Sequence, residues 1–213
     1  MKAEAYLEEL LERYPKLRSE KNELEQAYAI LRDCFASGHK LLVAGNGGSA
    51  ADAEHITGEL MKGFVKKRPV SGEMADKLAT LDPEAGGKLA RSLQEGLPTI
   101  ALDGHPGLST AFLNDVDGQL VFAQQVNGYG QAGDVLLAIS TSGNSANIYY
   151  ALLTAKAKGM PVIGLSGRDG GKLKGAADVT IVVPEQETFK IQELHLPVYH
   201  ALCLMLEATF FEQ

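Results

Sequence analysis

The sequence contains no tryptophan and only two cysteines, Cys34 and Cys203, among its 213 residues. Both cysteines occur among apolar residues in helical patterns, which predicts buried free thiols in a reducing compartment rather than a disulfide framework. No segment approaches the roughly 18 consecutive apolar residues of a membrane-spanning helix. The first residues are charged and helical in pattern, unlike a signal peptide. These features predict a cytoplasmic protein without a membrane anchor.

Basic charge is also scarce, with 20 Lys and Arg against 27 Asp and Glu and a formal net charge of −7. Binding to a phosphate backbone needs a basic face, so this balance argues against nucleic acid as the main partner. The one basic run, Lys66-Lys67-Arg68, is interpreted as a solvated loop, with contact to substrate or another subunit as the alternative. Neither G-x-x-x-x-G-K-[ST] nor G-x-G-x-x-G follows a predicted strand, so we expect no nucleotide cofactor.

The order of the apolar patterns predicts an α/β fold in a single domain over residues 1–213. Apolar residues within 1–36 recur at spacings of three and four, with a break at Tyr14-Pro15, which predicts N-terminal helices. Helical patterns then alternate with five short apolar runs, at 40–44, 98–102, 135–139, 161–165 and 179–183. Such runs are typical of a parallel sheet that is covered by helices on both faces. A long last helix is expected over about residues 189–211.

Residues 70–97 interrupt this alternation and form an atypical insertion. The pattern from Lys88 to Gln94 predicts one short amphipathic helix, preceded by Gly86-Gly87. A surface excursion is one interpretation, because long loops cost little closure entropy. The other is a cover over the site or a subunit contact, with the glycine pair as a hinge.

Two turns that follow predicted strands have unusual composition. Gly45-Asn46-Gly47-Gly48-Ser49 offers backbone N–H groups and a helix start to an anion, although tight turns often need glycine in any case. Ser140-Thr141-Ser142-Gly143-Asn144-Ser145 carries four hydroxyls. We expect Ser145 to cap the next helix and the other hydroxyls to bind a phosphate. In a parallel sheet both turns would lie at the ligand-binding edge.

Groups that can move a proton occur on two predicted helices. His55 and Glu59 are four residues apart and share a face, and the last helix carries Gln192, His195 and His200. A carboxylate and an imidazole beside a sugar could interconvert aldose and ketose through an enediol. Two histidines, a glutamate and an amide oxygen could instead hold zinc. Histidines with only a structural role remain the plain alternative.

Three segments resemble the sugar isomerase (SIS) domain family, closest to the bacterial phosphoheptose isomerases. They are G-N-G-G-S-A-A-D-A-E-H-I-T-G-E-L at 45–60, S-T-S-G-N-S-A-N at 140–147 and I-Q-E-L-H-L-P-V-Y-H at 191–200. The resemblance implies a doubly wound, flavodoxin-like sheet of five parallel strands between helices. It also implies a homotetramer with active sites at subunit interfaces. The implied reaction converts sedoheptulose 7-phosphate to D-glycero-D-manno-heptose 7-phosphate, for lipopolysaccharide or related heptose glycans.

The resemblance also implies a role for each matching residue. Glu59 and His200 would be the catalytic acid–base pair, and His195 is left structural. Zinc would be held by His55, Glu59, Gln192 and His200. Substrate would be contacted by Asn46, Gly47, Gly48, Ser49, Glu59, Asn114, Asp115, Ser140, Thr141, Ser142, Ser145 and Gln192.

Two departures limit the substrate assignment. Family members continue from the glutamate as L-T-G-R, whereas this chain has Leu60-Met61-Lys62-Gly63, and Arg and Lys bind phosphate differently. The 70–97 segment is also longer than expected. Two other functions stay open, a non-catalytic relative that binds the replication initiator and a sugar-phosphate-sensing regulator. Retention of Glu59 and His200 speaks against the first, and the absence of a DNA-binding module speaks against the second.

Overall fold

A sheet of five parallel strands forms the centre of the computed structural model, which describes residues 2–211. The strands lie in the order β2-β1-β3-β4-β5. Their bounds are β1 Leu41–Ala44, β2 Thr99–Ala101, β3 Val135–Ile139, β4 Val162–Ser166 and β5 Val179–Val182. Every residue of β1, β3 and β4 is buried, as expected for apolar strands that are covered on both faces. The predicted fold class and all five strand positions are confirmed.

Two layers of helices cover the sheet. One face carries α1 (Ala3–Arg13), α2 (Lys21–Ala36), α3 (Gly48–Met61) and α10 (Thr188–Phe210). The other face carries α7 (Val121–Tyr129), α8 (Ala146–Ala157) and α9 (Gly171–Ala176). Alternate strand residues point to opposite layers: Leu41 and Val43 join the first core, whereas Leu42 and Ala44 join the second.

The predicted break in the N-terminal helices is confirmed. A 3₁₀ turn over Pro15–Glu20 separates α1 from α2, because proline lacks an N–H group and is accommodated in the first turn of a helix. Cys34 and Cys203 are free and buried, as predicted, and burial raises the pKa of the Cys34 thiol to about 12. Within residues 2–211, none of the helices combines the length and apolar character that crossing a membrane requires.

Two helices form in residues 70–97, α4 (Gly72–Leu81) and α5 (Pro83–Ser92). The predicted short helix corresponds to α5, which begins before Gly86-Gly87 rather than after it, and α4 was not predicted. Asp82 ends the first helix and caps the second by accepting hydrogen bonds from the N–H groups of Glu84 and Ala85. Gly86 lies inside α5, where a Cβ atom would collide with the Leu78 carbonyl of α4. The glycine pair therefore permits close helix packing and is not a flanking hinge.

The remaining short elements follow β2. They are α6 (Pro106–Phe112), a π-helical turn (Leu113–Asp117) and a 3₁₀ turn (Gly118–Leu120). The basic run before the insertion is not the solvated loop that was predicted. Arg68 is only 1% exposed, and Lys66 Nζ donates to the Phe211 carbonyl at 2.9 Å.

Candidate active site

The two glycine- and serine-rich turns lie side by side at the carboxyl edge of the sheet. They follow β1 and β3, which are hydrogen-bonded neighbours, and the helices that they begin, α3 and α8, cover opposite faces. The chain order therefore switches direction between these strands, the position where such sheets bind ligands. The Asn46 and Asn147 amides join the turns through reciprocal hydrogen bonds of 2.9 and 2.8 Å.

The glycine turn is built for close approach of another group to the backbone. Gly47 has φ +56° and ψ −118°, a conformation that a residue with a Cβ atom rarely adopts. A Cβ atom on Gly48 would lie 2.5 Å from Nε2 of Gln192, so the amide of α10 lies directly over the turn. Ser49 is buried, and its N–H donates to the Asn46 carbonyl at 3.0 Å. Four predicted contacts, Asn46, Gly47, Gly48 and Gln192, are thus brought together.

The serine-rich turn is folded by its own hydroxyl groups. Ser140 and Ser145 share a hydrogen bond between their Oγ atoms at 3.0 Å, and Ser142 Oγ accepts from the Asn144 N–H at 3.2 Å. Gly143 has φ +65°. The Thr141 carbonyl accepts a hydrogen bond from the turn after β4, through the Gly167 N–H at 3.2 Å. The four predicted hydroxyl-bearing residues therefore lie in one compact turn.

The prediction that Ser145 caps α8 is wrong. Ser145 occupies the N-cap position, but its side chain makes no capping hydrogen bond because the hydroxyl is engaged with Ser140. The N-terminal N–H groups of α8 therefore lack a serine cap. A phosphate is a good acceptor for such groups.

The proposed acid–base residues form a second cluster, on α3 and α10. His55 Nε2 lies 3.3 Å from Glu59 Oε1, as expected for residues four apart on one helix face. Lys62 Nζ lies 3.0 Å from Glu59 Oε2, so a lysine contacts this carboxylate in the segment where the family arginine is missing. The His200 ring lies edge-on to the His55 ring, with 4.9 Å between the ring centroids.

His200 is held in a partly apolar environment. Phe64 packs against its ring at 5.3 Å between centroids, and its Nε2 atom is buried without a hydrogen-bond partner in residues 2–211. Burial and the neighbouring His55 lower the pKa of His200, against an opposing effect of Glu59. This shift favours the neutral form of the imidazole. The other α10 histidine, His195, is fully buried against the Ser166 carbonyl and has a structural position, as predicted.

Sequence reasoning missed two residues of this cluster, Tyr199 and Asp52. The Tyr199 hydroxyl lies 2.9 Å from His55 Nδ1, which leaves Nε2 as the nitrogen that faces Glu59. Burial raises the pKa of Asp52, against the opposing effects of Tyr199 and His55. The available signals were positional: Asp52 lies three residues before His55 on one helix face, and Tyr199 adjoins His200.

The predicted zinc ligands are suitable in chemistry but are only partly assembled. His55 presents Nε2 with its other nitrogen tied to Tyr199, and His200 presents an orphaned Nε2, both common features of metal-binding histidines. Gln192, however, lies at Gly48, about 12 Å along α10 from His200 at 1.5 Å per residue. Across the described part of the chain, no three His, Cys, Asp or Glu side chains form a group that could hold a metal ion.

Asn114 and Asp115 are not brought to either cluster by a hydrogen bond. They lie in the exposed π-helical turn, where Asn114 Nδ2 donates to Asp115 Oδ1 at 2.8 Å. Leu113 and Val116, on either side of this pair, are 67% and 63% exposed. The predicted substrate contacts of this pair stay a prediction.

Comparisons with known proteins identify the family of this chain. The SIS domain model matches residues 5–79 and 79–167. A phosphoheptose isomerase of Crocosphaera subtropica is 40% identical over 188 residues, which cover 88% of this chain and 83% of that protein.

Two solved structures share both fold and sequence. Phosphoheptose isomerase GmhA from Neisseria gonorrhoeae has a TM-score of 0.68 and 36% identity, over 87% of this chain and 86% of that one. A phosphoheptose isomerase from Francisella tularensis has a TM-score of 0.74 and 30% identity, over 95% of each chain. The chain therefore belongs to the SIS domain family and, within it, to the phosphoheptose isomerases.

Proposed function

We propose that this enzyme interconverts sedoheptulose 7-phosphate and D-glycero-D-manno-heptose 7-phosphate through an enediol. The observation that carries the proposal is that Glu59 and His200 both lie against His55, on helices that also border the glycine turn. A phosphate-binding edge and an acid–base pair are the two elements that isomerisation of a sugar phosphate requires. Membership of the phosphoheptose isomerases selects the seven-carbon substrate.

The reaction needs two proton transfers. A base removes a proton from C1 of the ketose and a proton is returned at C2, while a second group moves a proton between the two oxygens. Glu59 supplies a carboxylate and His200 a neutral imidazole, so the pair can serve both transfers. The hydroxyls of Ser140, Thr141 and Ser142, with N–H groups at the start of α8, would bind the phosphate.

We also propose that the site is completed across a subunit interface in a homotetramer. Eleven residues separate Gly48 from Glu59, which is about 16 Å of helix and a long span for a single sugar phosphate. Exposed apolar side chains flank the Asn114–Asp115 pair, and such patches mark protein contacts. A second copy would bring its own residues to the phosphate or to the acid–base pair.

Zinc is a further part of this proposal, with His55, Glu59, Gln192 and His200 as its ligands. Bound zinc would act as a Lewis acid toward substrate oxygens. Glu59 would then be both a zinc ligand and a proton-transfer group, and these two roles compete for the same carboxylate. Elemental analysis and zinc titration of the purified protein test the site directly. Full activity after exhaustive chelation, with no zinc detected, would refute the zinc proposal. The cluster would then act only in acid–base catalysis.

The decisive experiment is turnover by Glu59→Gln and His200→Asn. Each change nearly preserves shape but removes a proton-transfer group, so we expect kcat to fall by about 10²-fold or more. Thermal stability should change little. Glu73→Gln on the exposed helix α4 and His39→Asn at the opposite end of β1 are matched controls that should retain wild-type turnover.

A panel of ketose phosphates tests the substrate. We expect sedoheptulose 7-phosphate to have a higher kcat/KM than a six-carbon ketose phosphate. Retained turnover in both site variants would refute the acid–base assignment. Absence of turnover with every ketose phosphate would instead favour a non-catalytic binding role. For the location, the two buried free thiols agree with a reducing compartment such as the cytoplasm.

A further inference from the structure

A buried ion pair joins the loop after α3 to the last helix. Nε and Nη2 of Arg68 lie 2.9 and 2.8 Å from Oε1 of Glu207. Arg68 is 1% exposed and Glu207 is fully buried. Such a pair persists in a protein interior only when its remaining hydrogen-bonding groups are also satisfied. The other partners of these two side chains are therefore informative.

The remaining Arg68 donors reach the end of α3. Nη1 donates to the Leu60 carbonyl at 2.7 Å and Nη2 donates to the Glu59 carbonyl at 3.2 Å. α3 ends at Met61, so these two carbonyls belong to its last turn. Carbonyls of the last turn find no N–H donor within their own helix and need a partner from elsewhere. The guanidinium thus caps α3 and holds the backbone of the proposed acid–base residue Glu59 itself.

The Glu207 carboxylate fixes the next segment of the chain. It accepts hydrogen bonds from the N–H groups of Phe64, Val65 and Lys66, at 2.8, 2.9 and 3.2 Å. Burial opposes ionisation, but these bonds and Arg68 outweigh it and lower the pKa of Glu207. Phe64 is in turn the ring that packs against His200. The Glu207 carboxylate therefore fixes the 64–66 segment, whose Phe64 ring packs against His200.

We infer that Arg68 and Glu207 are positioning residues that hold Glu59 and His200 in their working arrangement. The pair reaches Glu59 through its own carbonyl and reaches His200 through Phe64, without either side chain entering the site. The planar guanidinium of Arg68 makes four contacts at once, two to the Glu207 carboxylate and two to carbonyls, whereas a lysine ammonium has only three donors. This inference rests on the proposed function, because it concerns the same acid–base pair.

The variants Glu207→Gln and Arg68→Lys test the inference. Glutamine places an NH₂ group against backbone donors, and lysine keeps the charge but loses the planar fork. Asp134→Asn is the matched control. Asp134 is equally buried and accepts bonds from Lys40 Nζ and from two backbone N–H groups, but it lies at the opposite edge of the sheet.

Stability alone should not distinguish the variants, since all three disturb an ion pair whose carboxylate is buried. Turnover should distinguish them. We expect kcat of Glu207→Gln and Arg68→Lys to fall by about tenfold or more with little change in KM, because small misplacements of reacting groups are costly. Asp134→Asn should lose stability but keep its kcat. Equal kcat in all three variants, measured well below their unfolding temperatures, would overturn the inference.

A substrate-free measurement separates this inference from the proposed function. If the wild-type protein isomerises no ketose phosphate, the proposed function fails, and the positioning role is then judged by NMR. Protein with labelled Phe and His should show the Phe64–His200 ring contact in the wild type and in Asp134→Asn, and should lose it in Glu207→Gln. Retention of this contact in Glu207→Gln would overturn the inference whatever the activity.

Discussion

The contact between Gly48 and Gln192 makes Gly48→Ala a sharp test of the site. A Cβ atom at Gly48 would lie 2.5 Å from Gln192 Nε2, whereas non-bonded heavy atoms favour about 3.5–4.0 Å. The amide must therefore move by about 1 Å or more, and it can do so because it is the end of a flexible side chain. Gly48 does not have a positive φ, so alanine fits its backbone.

Stability and activity should consequently change in different directions. Alanine in place of glycine within a helix stabilises it by up to about 1 kcal/mol, so the unfolding temperature should not fall. Displacement of an orienting polar group costs about 1–3 kcal/mol, which corresponds to a loss of roughly 5- to 150-fold in kcat/KM. Steady-state kinetics and thermal unfolding of the same preparation measure both effects.

Gly58→Ala is the control on the same helix. A Cβ atom at Gly58 would meet nothing within 4 Å, so this variant should gain stability and keep its activity. If Gly48→Ala retains wild-type kcat/KM while it remains folded, Gln192 does not act from the position that the structure gives it.

Three other outcomes follow from the structure. Ser142→Ala should weaken binding of the sugar phosphate in titration calorimetry, while Ser145→Ala should cost less than the roughly 1 kcal/mol of a helix cap. Replacing 72–95 with a glycine-serine linker should lower the mass of the assembly in light scattering, because this segment exposes Leu81 (84%) as a candidate subunit contact. Unchanged mass and unchanged kcat/KM would show that the segment is only a surface excursion. The pKa of Asp134 is lowered, because its hydrogen bonds outweigh burial, so this group stabilises the fold above its unfolded pKa of about 3.9 and loses that effect as pH falls. Denaturant titrations from pH 6 to 3 should therefore show a smaller loss of stability for Asp134→Asn than for the wild type.

The distribution of apolar residues was sufficient to predict the sheet. Strands such as Val135–Ile139 are buried on both faces and therefore contain almost no polar residue, a pattern that few other structures produce. The break at Pro15 was also predictable, because proline restricts its own backbone whatever surrounds it. The insertion was not predictable in the same way. Its glycine pair is typical of a loop. Gly86 nevertheless lies within α5, where the close approach of α4 leaves no space for a Cβ atom.

The residues of both clusters were named from motifs, but their arrangement depends on contacts between distant elements. Ser145 is a typical helix cap by position, and only the neighbouring Ser140 hydroxyl diverts it. Arg68 belongs to a basic run that is usually solvated, and it is buried because Glu207, 139 residues away, accepts its hydrogen bonds. Local sequence therefore determined the elements and the chemistry they carry. The partners of each polar group were decided by the tertiary structure, because burial makes an unsatisfied charge or hydrogen bond costly and the compensating group can come from any part of the chain.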